Sequence, residues 1–505
     1  MTQKNLLALV MSCLAISMHG QNFVINGALF YAGPTSTAIS NGGVWVNSGS
    51  NVTLNGDLTI TKNSTLPEPG NLKIFTGANV NHSGNLFIEQ DLMCDGNFIN
   101  TLSTVEMFGN TNQIIESNIL PAIDFHNLNL TGSGLNKQKE LINVDARIDG
   151  TGVLSLNDRI LNTHGQVIQV LNNSPLAITN SDLGSGFGFI ASDIPGYLRW
   201  NSQINSLHFA PLGSVNPGEL YRPIQYTASG NDFFKMRLDQ HDATLDGFPL
   251  ANHNEEICEA NSKFYHHFKS EAGTSANFNV AFLSGTDGNW SGVAEYVTQW
   301  EPTGSNSSSS NNGFDWLGVN NNAYILNEEA FVLTNPGPIA NFTYASQDLF
   351  YNQVQFTDNS VGASQWNWNF NDGTSSTDVN PFHSFSEGDF EVVLTVTNSF
   401  GCTDTATAFI HAGGSLLVPN IFSPDSDGIN DFFEVILPAV EEYHLMVFNR
   451  WGHILFESND PSIQWNGEFE GTPCTEGTYF SILSIKQGNY QEQLEGTIQL
   501  VRKQQ

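Results

Sequence analysis

An all-β, multidomain chain is what this sequence predicts, and three observations predict it. No stretch after the first twenty residues carries a long amphipathic pattern of helical period. Glycines at 42, 56, 70, 84, 96 and 109 recur every 12 to 14 residues, most of them in an Asn-Gly or Gly-Asn pair, with short alternating runs between them: VWV, DLTIT, LKIFT, LFIEQ. Hydrophobic residues make up 40% of the chain but charged residues only 13%, so the polar surface comes mainly from Asn, Ser, Thr and Gln. With 46 glycines and 35 phenylalanines, that composition suits short strands and tight turns.

Taken in order, residues 1–20 have the form of a signal peptide: one lysine, an apolar stretch from Leu6 to Ile16, and small Gly20 ahead of Gln21. Residues 21–175 form the repetitive region. Its Gly and Asn residues supply turns, and the alternation turns every second side chain inward. Stacked units of this kind bury a continuous core that no single unit could bury, which points to a β-solenoid, a right-handed β-helix first and a long antiparallel meander as the alternative. Over 176–335 the strand-like runs (YLRWNS, LHFAPLG, FFKMRLD, FNVAFLSG) become longer and less evenly spaced, as a β-sandwich requires. The polar insert TGSNSSSSNNG, 303–313, reads as a loop, and NPGP, 335–338, as a linker.

Charge narrows the partners. Seventeen basic residues face 50 acidic ones, a formal net charge of −33, which excludes the Lys/Arg clustering that phosphate backbones need and disfavours anionic lipid. After the signal, no segment approaches the roughly 20 apolar residues of a membrane-spanning helix. Four cysteines remain, Cys94, Cys258, Cys402 and Cys474, one per module and without a CxxC pair, which argues against both a disulfide framework and a zinc site.

Residues 339–412 carry QWNWNFNDG, placing Trp366, Trp368 and Phe370 on one strand face before an Asp372-Gly373 turn, and NPFHSFSEGDFEVVLTVTNSFG, with Phe390, Val392, Leu394 and Val396 facing one core. This unit resembles the PKD domain, an immunoglobulin-like spacer of surface proteins. The family's W-x-F-G-D-G stands at Trp368–Gly373, with Asn371 in place of a glycine; Asn380, Pro381, His383, Phe385 and Gly388 continue the match. Residues 415–505 carry VPNIFSPDSDGINDFF, then MVFNRWGHILFES, WNGEFEGTPCTEGTYFSILSI and GTIQLVRK. In that order they resemble the gliding-associated C-terminal domain of Bacteroidetes surface proteins, the type B sorting domain of the type IX secretion system. The motif positions are Asn420, Pro424, Gly428, Asn430, Arg450, Trp451 and Gly452; Asp425-Ser426 stand where the family has Asn-Gly. The resemblance implies export by the type IX machinery to the cell surface or the medium.

Candidate sites follow from residue type. Asp425, Asp427, Asp431 and Glu434 are spaced around Gly428 like a calcium loop, although Ser423 holds the first position, Pro424 intervenes and no helices flank it. The alternative is a turn whose Asp side chains cap backbone N–H groups. Trp451 and Trp465 read as core aromatics, and Arg450 as a partner of a local carboxylate or of the export machinery. His266 and His267 are adjacent on a strand, so they point to opposite faces and do not share one metal. HExxH and GxSxG are absent, and GSGFG, 184–188, leads into strand-like sequence rather than a helix. Asp239, Asp242 and Asp246, or Glu255, Glu256 and Glu259, could contain a glycosidase-type pair. A lyase acting on uronates would need cations, and residues 22–175 offer only Lys62, Lys73, Lys137, Lys139, Arg147 and Arg159. The expected function is non-catalytic: an adhesin-like protein contacting a polysaccharide, another cell or a surface. A polysaccharide-degrading enzyme and a structural part of a motility apparatus or surface coat are the rivals.

Overall fold

A computed structural model describes residues 9–11, 16–19, 23–25, 29–34, 36–63, 70–133, 137–180, 187–192, 195–303, 306–311, 313–319, 330–346, 352–414, 416–438, 440–488 and 490–502. Its regular structure is almost entirely strand. No described helix is long and apolar enough to cross a membrane. The chain divides into two compact units, Met1–Pro336 and Gly337–Gln505, and the division falls inside the 335–338 stretch.

In the first unit each early strand pairs in parallel with the strand three further along the chain. One sheet runs Ile16–His19, Thr37–Asn41, Asp57–Thr61, Leu86–Ile88, Thr104–Met107, Asn127–Leu130, Leu154–Asn157 and Ile178–Asn180; two more are built the same way alongside it. Antiparallel pairing of successive strands, the meander alternative, is not what forms. Register carries the core: Leu58, Leu86, Val105, Leu128, Leu154 and Ile178 are aligned strand upon strand, and all are buried. The neighbouring outward positions are polar. Asn51, Asn79 and Asn97 form a ladder in which each side-chain amide donates to the one before, at 3.0 and 3.1 Å. Leu9–Met11 and Ile16–His19 are the terminal strands of two sheets, so removal of residues 1–20 would leave Leu29–Ala32 and Thr37–Asn41 at those edges.

No break falls at 175/176. A fourth sheet starts parallel (Ala122–Phe125, Asp145–Ile148, Val167–Val170, Tyr197–Ser202) and continues antiparallel through Asp232–Asp239, Tyr265–Ser270 and Ala330–Pro336. One hydrophobic cluster runs from Ile25 to Leu333 accordingly. A fifth, antiparallel sheet holds Ile224–Ala228, Ala276–Phe282, Phe314–Val319 and Asn306–Asn311. The last of these corrects the reading of 303–313 as a loop: NSSSSN pairs along Phe314–Val319, because ladder hydrogen bonds come from the backbone and need no apolar side chain. Cys94 and Cys474 are free thiols, with burial pushing Cys94 up to about 12, whereas Cys258 and Cys402 are each disulfide-bonded, against expectation.

In the second unit, residues 339–412 form a three-stranded and a four-stranded sheet around Val354, Phe356, Trp368, Phe370, Val392, Leu394 and Val396. Trp368 is fully buried and its indole N–H donates to the Asp378 carbonyl at 2.9 Å. At the following turn His383 stacks on Phe370, 3.8 Å between ring centres, and meets Asp372 at 2.8 Å. Asn371, where the motif has glycine, takes a left-handed conformation (φ 59°), one that asparagine tolerates. Residues 416–502 build a five-stranded sheet, Ile421–Phe422, Tyr490–Leu500, Gly477–Gln487, Glu442–Phe448 and Ile454–Ser458, over a core of Phe422, Phe433, Leu445, Val447, Trp465, Leu483 and Ile498.

Candidate functional site

The acidic loop brings Asp425, Asp427 and Asp431 together, with one carboxylate oxygen of each within 4.8 Å of the others; Glu434 is outside this group. Backbone donors account for much of that convergence. Asp431 Oδ1 accepts from the N–H groups of Asp425 (3.0 Å) and Ser426 (2.6 Å), and its Oδ2 accepts from Gly428 (2.8 Å). Asp427 Oδ1 accepts from the Ile429 N–H at 2.9 Å. These are the capped turns of the alternative reading. Calcium asks for six to eight oxygens, and the oxygens of Asp431 are already turned to N–H groups. A calcium-dependent rise in melting temperature that disappears in Asp427→Ala is the measurement that would make this loop a metal site.

The motif residues separate into two places. Asn420, Pro424, Gly428 and Asn430 shape the loop: the Asn420 carbonyl accepts from Gln499 and that of Asn430 from Ser423, both at 2.8 Å. Arg502, which sequence reading passed over, donates to the carbonyls of Pro424, Gly467 and Cys474 at 3.1 to 3.2 Å, tying three loops together. Arg450, Trp451 and Gly452 form the hairpin turn after Glu442–Phe448, where Asn449 Oδ1 accepts from the N–H groups of Trp451 and His453, both at 3.0 Å. Trp465 is buried, as expected, but Trp451 is 86% exposed and corrects the core reading for that residue. It sits at the tip of a turn and borders a cleft of about 350 Å³ with Phe469, Cys474 and Tyr479.

The carboxylate clusters resolve differently. Glu255, Glu256 and Glu259 are all exposed. Asp242 caps the short turn Ala243–Asp246 through the Thr244 N–H at 2.8 Å. Asp239 and Asp246 instead enter a network. Asp239 Oδ2 accepts from Arg237 Nε at 2.8 Å and lies 2.9 Å from His267 Nε2. Arg237 Nη2 is 2.7 Å from the same His267 nitrogen, and the Tyr265 hydroxyl is 3.2 Å from it. That hydroxyl donates to Asp246 Oδ2, which His241 Nε2 also meets at 2.5 Å. Burial works to raise the Asp239 carboxyl, but the His267 hydrogen bond and the Arg237 charge together hold it below the usual range. Burial, then the Asp239 and Asp246 carboxylates, push the Tyr265 hydroxyl far above its ordinary value.

His266 and His267 do face opposite ways. Both are buried, against the expectation of surface or half-buried rings. His266 Nε2 lies 2.9 Å from the Arg222 carbonyl, and burial pushes its pKa down to about 4. The unfolded chain therefore binds the extra proton from about pH 6.5 downward while the folded chain refuses it until about pH 4, so stability falls as pH drops through that window. His266→Gln should flatten the fall by up to roughly 1.4 kcal/mol per pH unit, read from melts between pH 7 and pH 4.5; the lowered Asp239 titrates below this window. On the coil, Lys139 and Arg159 are buried and Arg147 pairs with Asp124 at 2.9 Å, so three of the six cations considered for uronate chemistry are already engaged. Most of GSGFG, at 184–186, lies outside the described residues.

These features define an all-β modular chain whose chemistry-bearing residues gather in the first unit and whose second unit carries two recognisable modules. Residues 335–412 match the PKD domain family, and residues 416–500 match the CHU_C type IX secretion signal domain. The C-terminal signal domain implies export out of the cell through the type IX machinery. No curated protein is significantly similar to the chain. Among solved structures it is similar to the PKD1 domain of the Vibrio cholerae metalloprotease PrtV (28% identity, 15% of this chain and 99% of that one, TM-score 0.15) and to the PKD1 domain of Vibrio anguillarum Epp (28%, 16% and 99%, TM-score 0.14). It is also similar to dimeric latent PorU from Porphyromonas gingivalis (8% identity, 56% of this chain and 32% of that one, TM-score 0.14). At such TM-scores these likenesses add nothing to the two family matches.

Proposed function

We propose that the chain is an adhesin-like protein of the cell surface or medium, with residues 21–335 binding a polysaccharide or surface partner without catalysis and residues 416–500 directing its secretion. The observation that carries this reading is the regular outer face of the parallel coil. There, polar groups recur strand after strand, as in the Asn51–Asn79–Asn97 ladder and the Asn157–Asn129 pair at 2.9 Å. Strand spacing of about 4.8 Å sets the repeat, and a repeated hydrogen-bonding surface suits weak multivalent contact. The stacking is that of a β-helix, and a right-handed one is part of the proposal.

A second reading, a polysaccharide-degrading enzyme, is favoured by one observation only: the Asp239–His267–Tyr265–Asp246 network borders a cleft. The test is to incubate the purified chain with a panel of insoluble polysaccharides and score pull-down and new reducing ends in the same tubes. Binding without cleavage is expected. Cleavage that Asp239→Asn abolishes would overturn the non-catalytic reading, and neither binding nor cleavage would leave a structural role in motility or the surface coat.

A further inference from the structure

The chain has 17 Lys and Arg residues against 50 acidic ones, yet four of the cations share one patch of three adjacent strands. Across Tyr197–Ser202, Asp232–Asp239 and Tyr265–Ser270, Lys235 stands directly opposite Arg199 on one side and Lys269 on the other, and Arg237 stands opposite His267. Like charges placed opposite one another on a sheet destabilise it. The local carboxylates relieve part of that repulsion. Glu271 grips Arg199 at 2.8 and 2.5 Å and reaches Lys235 at 3.4 Å, and Asp239 holds Arg237. Counting Asp246 as well, four cations face three carboxylates, which leaves one positive charge with the histidines neutral.

Lys235, Arg237, His267 and Lys269 line a cleft of about 350 Å³ together with Tyr197 and Phe248. That volume is at the small end of ligand pockets. The Lys235 ammonium lies 5.0 Å from the centre of the Tyr197 ring, so a cation and an aromatic face are presented side by side. The side chain of Lys235 is 38% exposed, whereas those of Arg237 and Asp239 are 11% and 5% exposed: a firm floor under a reachable charge.

We propose that this cleft binds an anionic sugar residue of an acidic polysaccharide, with its carboxylate or sulfate ester held by Lys235 and Lys269 and its ring against Tyr197 and Phe248. The inference rests on the polysaccharide-binding reading and names its ligand class. One residual positive charge matches a sugar carrying one negative group, and charge-assisted hydrogen bonds from ammonium groups are the strong kind. The aromatic pair takes the apolar face of the ring, and Tyr265, His267 and Asp246 stand near for its hydroxyls. A chain of net charge −33 repels polyanions elsewhere, so a polyanion that binds must find a local site.

The experiment uses the full chain and three soluble probes in affinity electrophoresis: polygalacturonate, dextran sulfate and neutral dextran. The expected result is retardation by an acidic probe and none by dextran. Affinity should fall about tenfold or more in Lys235→Ala/Lys269→Ala and in the milder Lys269→Gln, with no change in Lys486→Ala, the same charge lost in the second unit. Unchanged melting temperatures confirm that the variants fold. Retention by polygalacturonate names a carboxylate as the group, and retention by dextran sulfate names a sulfate ester. Equal retention by dextran, acidic binding indifferent to both lysines, or no acidic binding would each overturn the inference. The adhesin reading fails separately, only if the insoluble panel also yields no binding.

Discussion

Gly84→Ala is expected to cost the first unit about 4 kcal/mol or more, a loss reserved for changes that the surroundings cannot absorb. A Cβ built on Gly84 would lie 2.1 Å from the carbonyl oxygen of Gly56 and 2.3 Å from its carbonyl carbon. A Cβ on Gly56 would in turn lie 2.1 Å from the Ser36 carbonyl oxygen. Each obstacle is backbone, which has no rotamer to turn away. That backbone is held in register: Asp57 donates to the Ser36 carbonyl at 3.1 Å, Leu58 to that of Asn85 at 2.9 Å, and Gly84 to that of Leu54 at 3.2 Å. Relief would require the strands to part just where Leu58 and Leu86 close the core. Gly150→Ala is the control: a Cβ there meets nothing within 4 Å, and the change should stay within about 0.5 kcal/mol. Urea unfolding of the two variants, read by tryptophan fluorescence, makes the comparison.

The same column shows how far the coil could be read from the chain. Alternation in DLTIT and LFIEQ marked the right inward residues, because period two is a property of the strand itself. The 14-residue glycine spacing pointed to a repeat but misjudged its length. Gly56 meets Gly84, two glycines on, and Asn51 meets Asn79 28 residues later, because each coil holds several strands and more than one glycine turn. Further along, Leu86 already pairs with Val105, so insertions and deletions at the turns blur any fixed period. The two C-terminal modules were legible because their motifs are local: WNFNDG makes a turn, and FNRWG makes another. The cation patch was not, because Arg199, Lys235 and Lys269 become neighbours only through pairings between strands far apart in the chain. The available signal was the alternation of Lys235 and Arg237 in FFKMRLD, two cations on one face in a chain that has few. Polar composition likewise misled at 303–313, since an edge strand can be made of serines.

Trp465→Ala is expected to abolish release of the protein to the medium, and Trp451→Ala to leave the sorting domain folded while lowering release. The two tryptophans belong to one set of motifs but stand in opposite environments. Trp465 is 1% exposed, packs 5.2 Å from the rings of both Phe422 and Tyr479, and donates its indole N–H to the Glu468 carbonyl at 2.9 Å. Its backbone also bridges to Phe433. Truncating a core tryptophan costs roughly 3–5 kcal/mol, a large part of the whole stability of a module this size, so the signal would be presented unfolded. Trp451 makes no comparable packing at 86% exposure, and the shape of its turn comes from Asn449 and from Gly452 at φ 79° rather than from the indole. An exposed tryptophan on a well-formed turn contributes little to folding and much to contact with a partner. Melting the purified variants and blotting cells and medium separate the two effects. A Trp451→Ala chain that melts and is released like the parent would remove this turn from recognition by the export machinery. A Trp465→Ala chain released normally would show that the machinery reads the linear motifs and not the folded sheet.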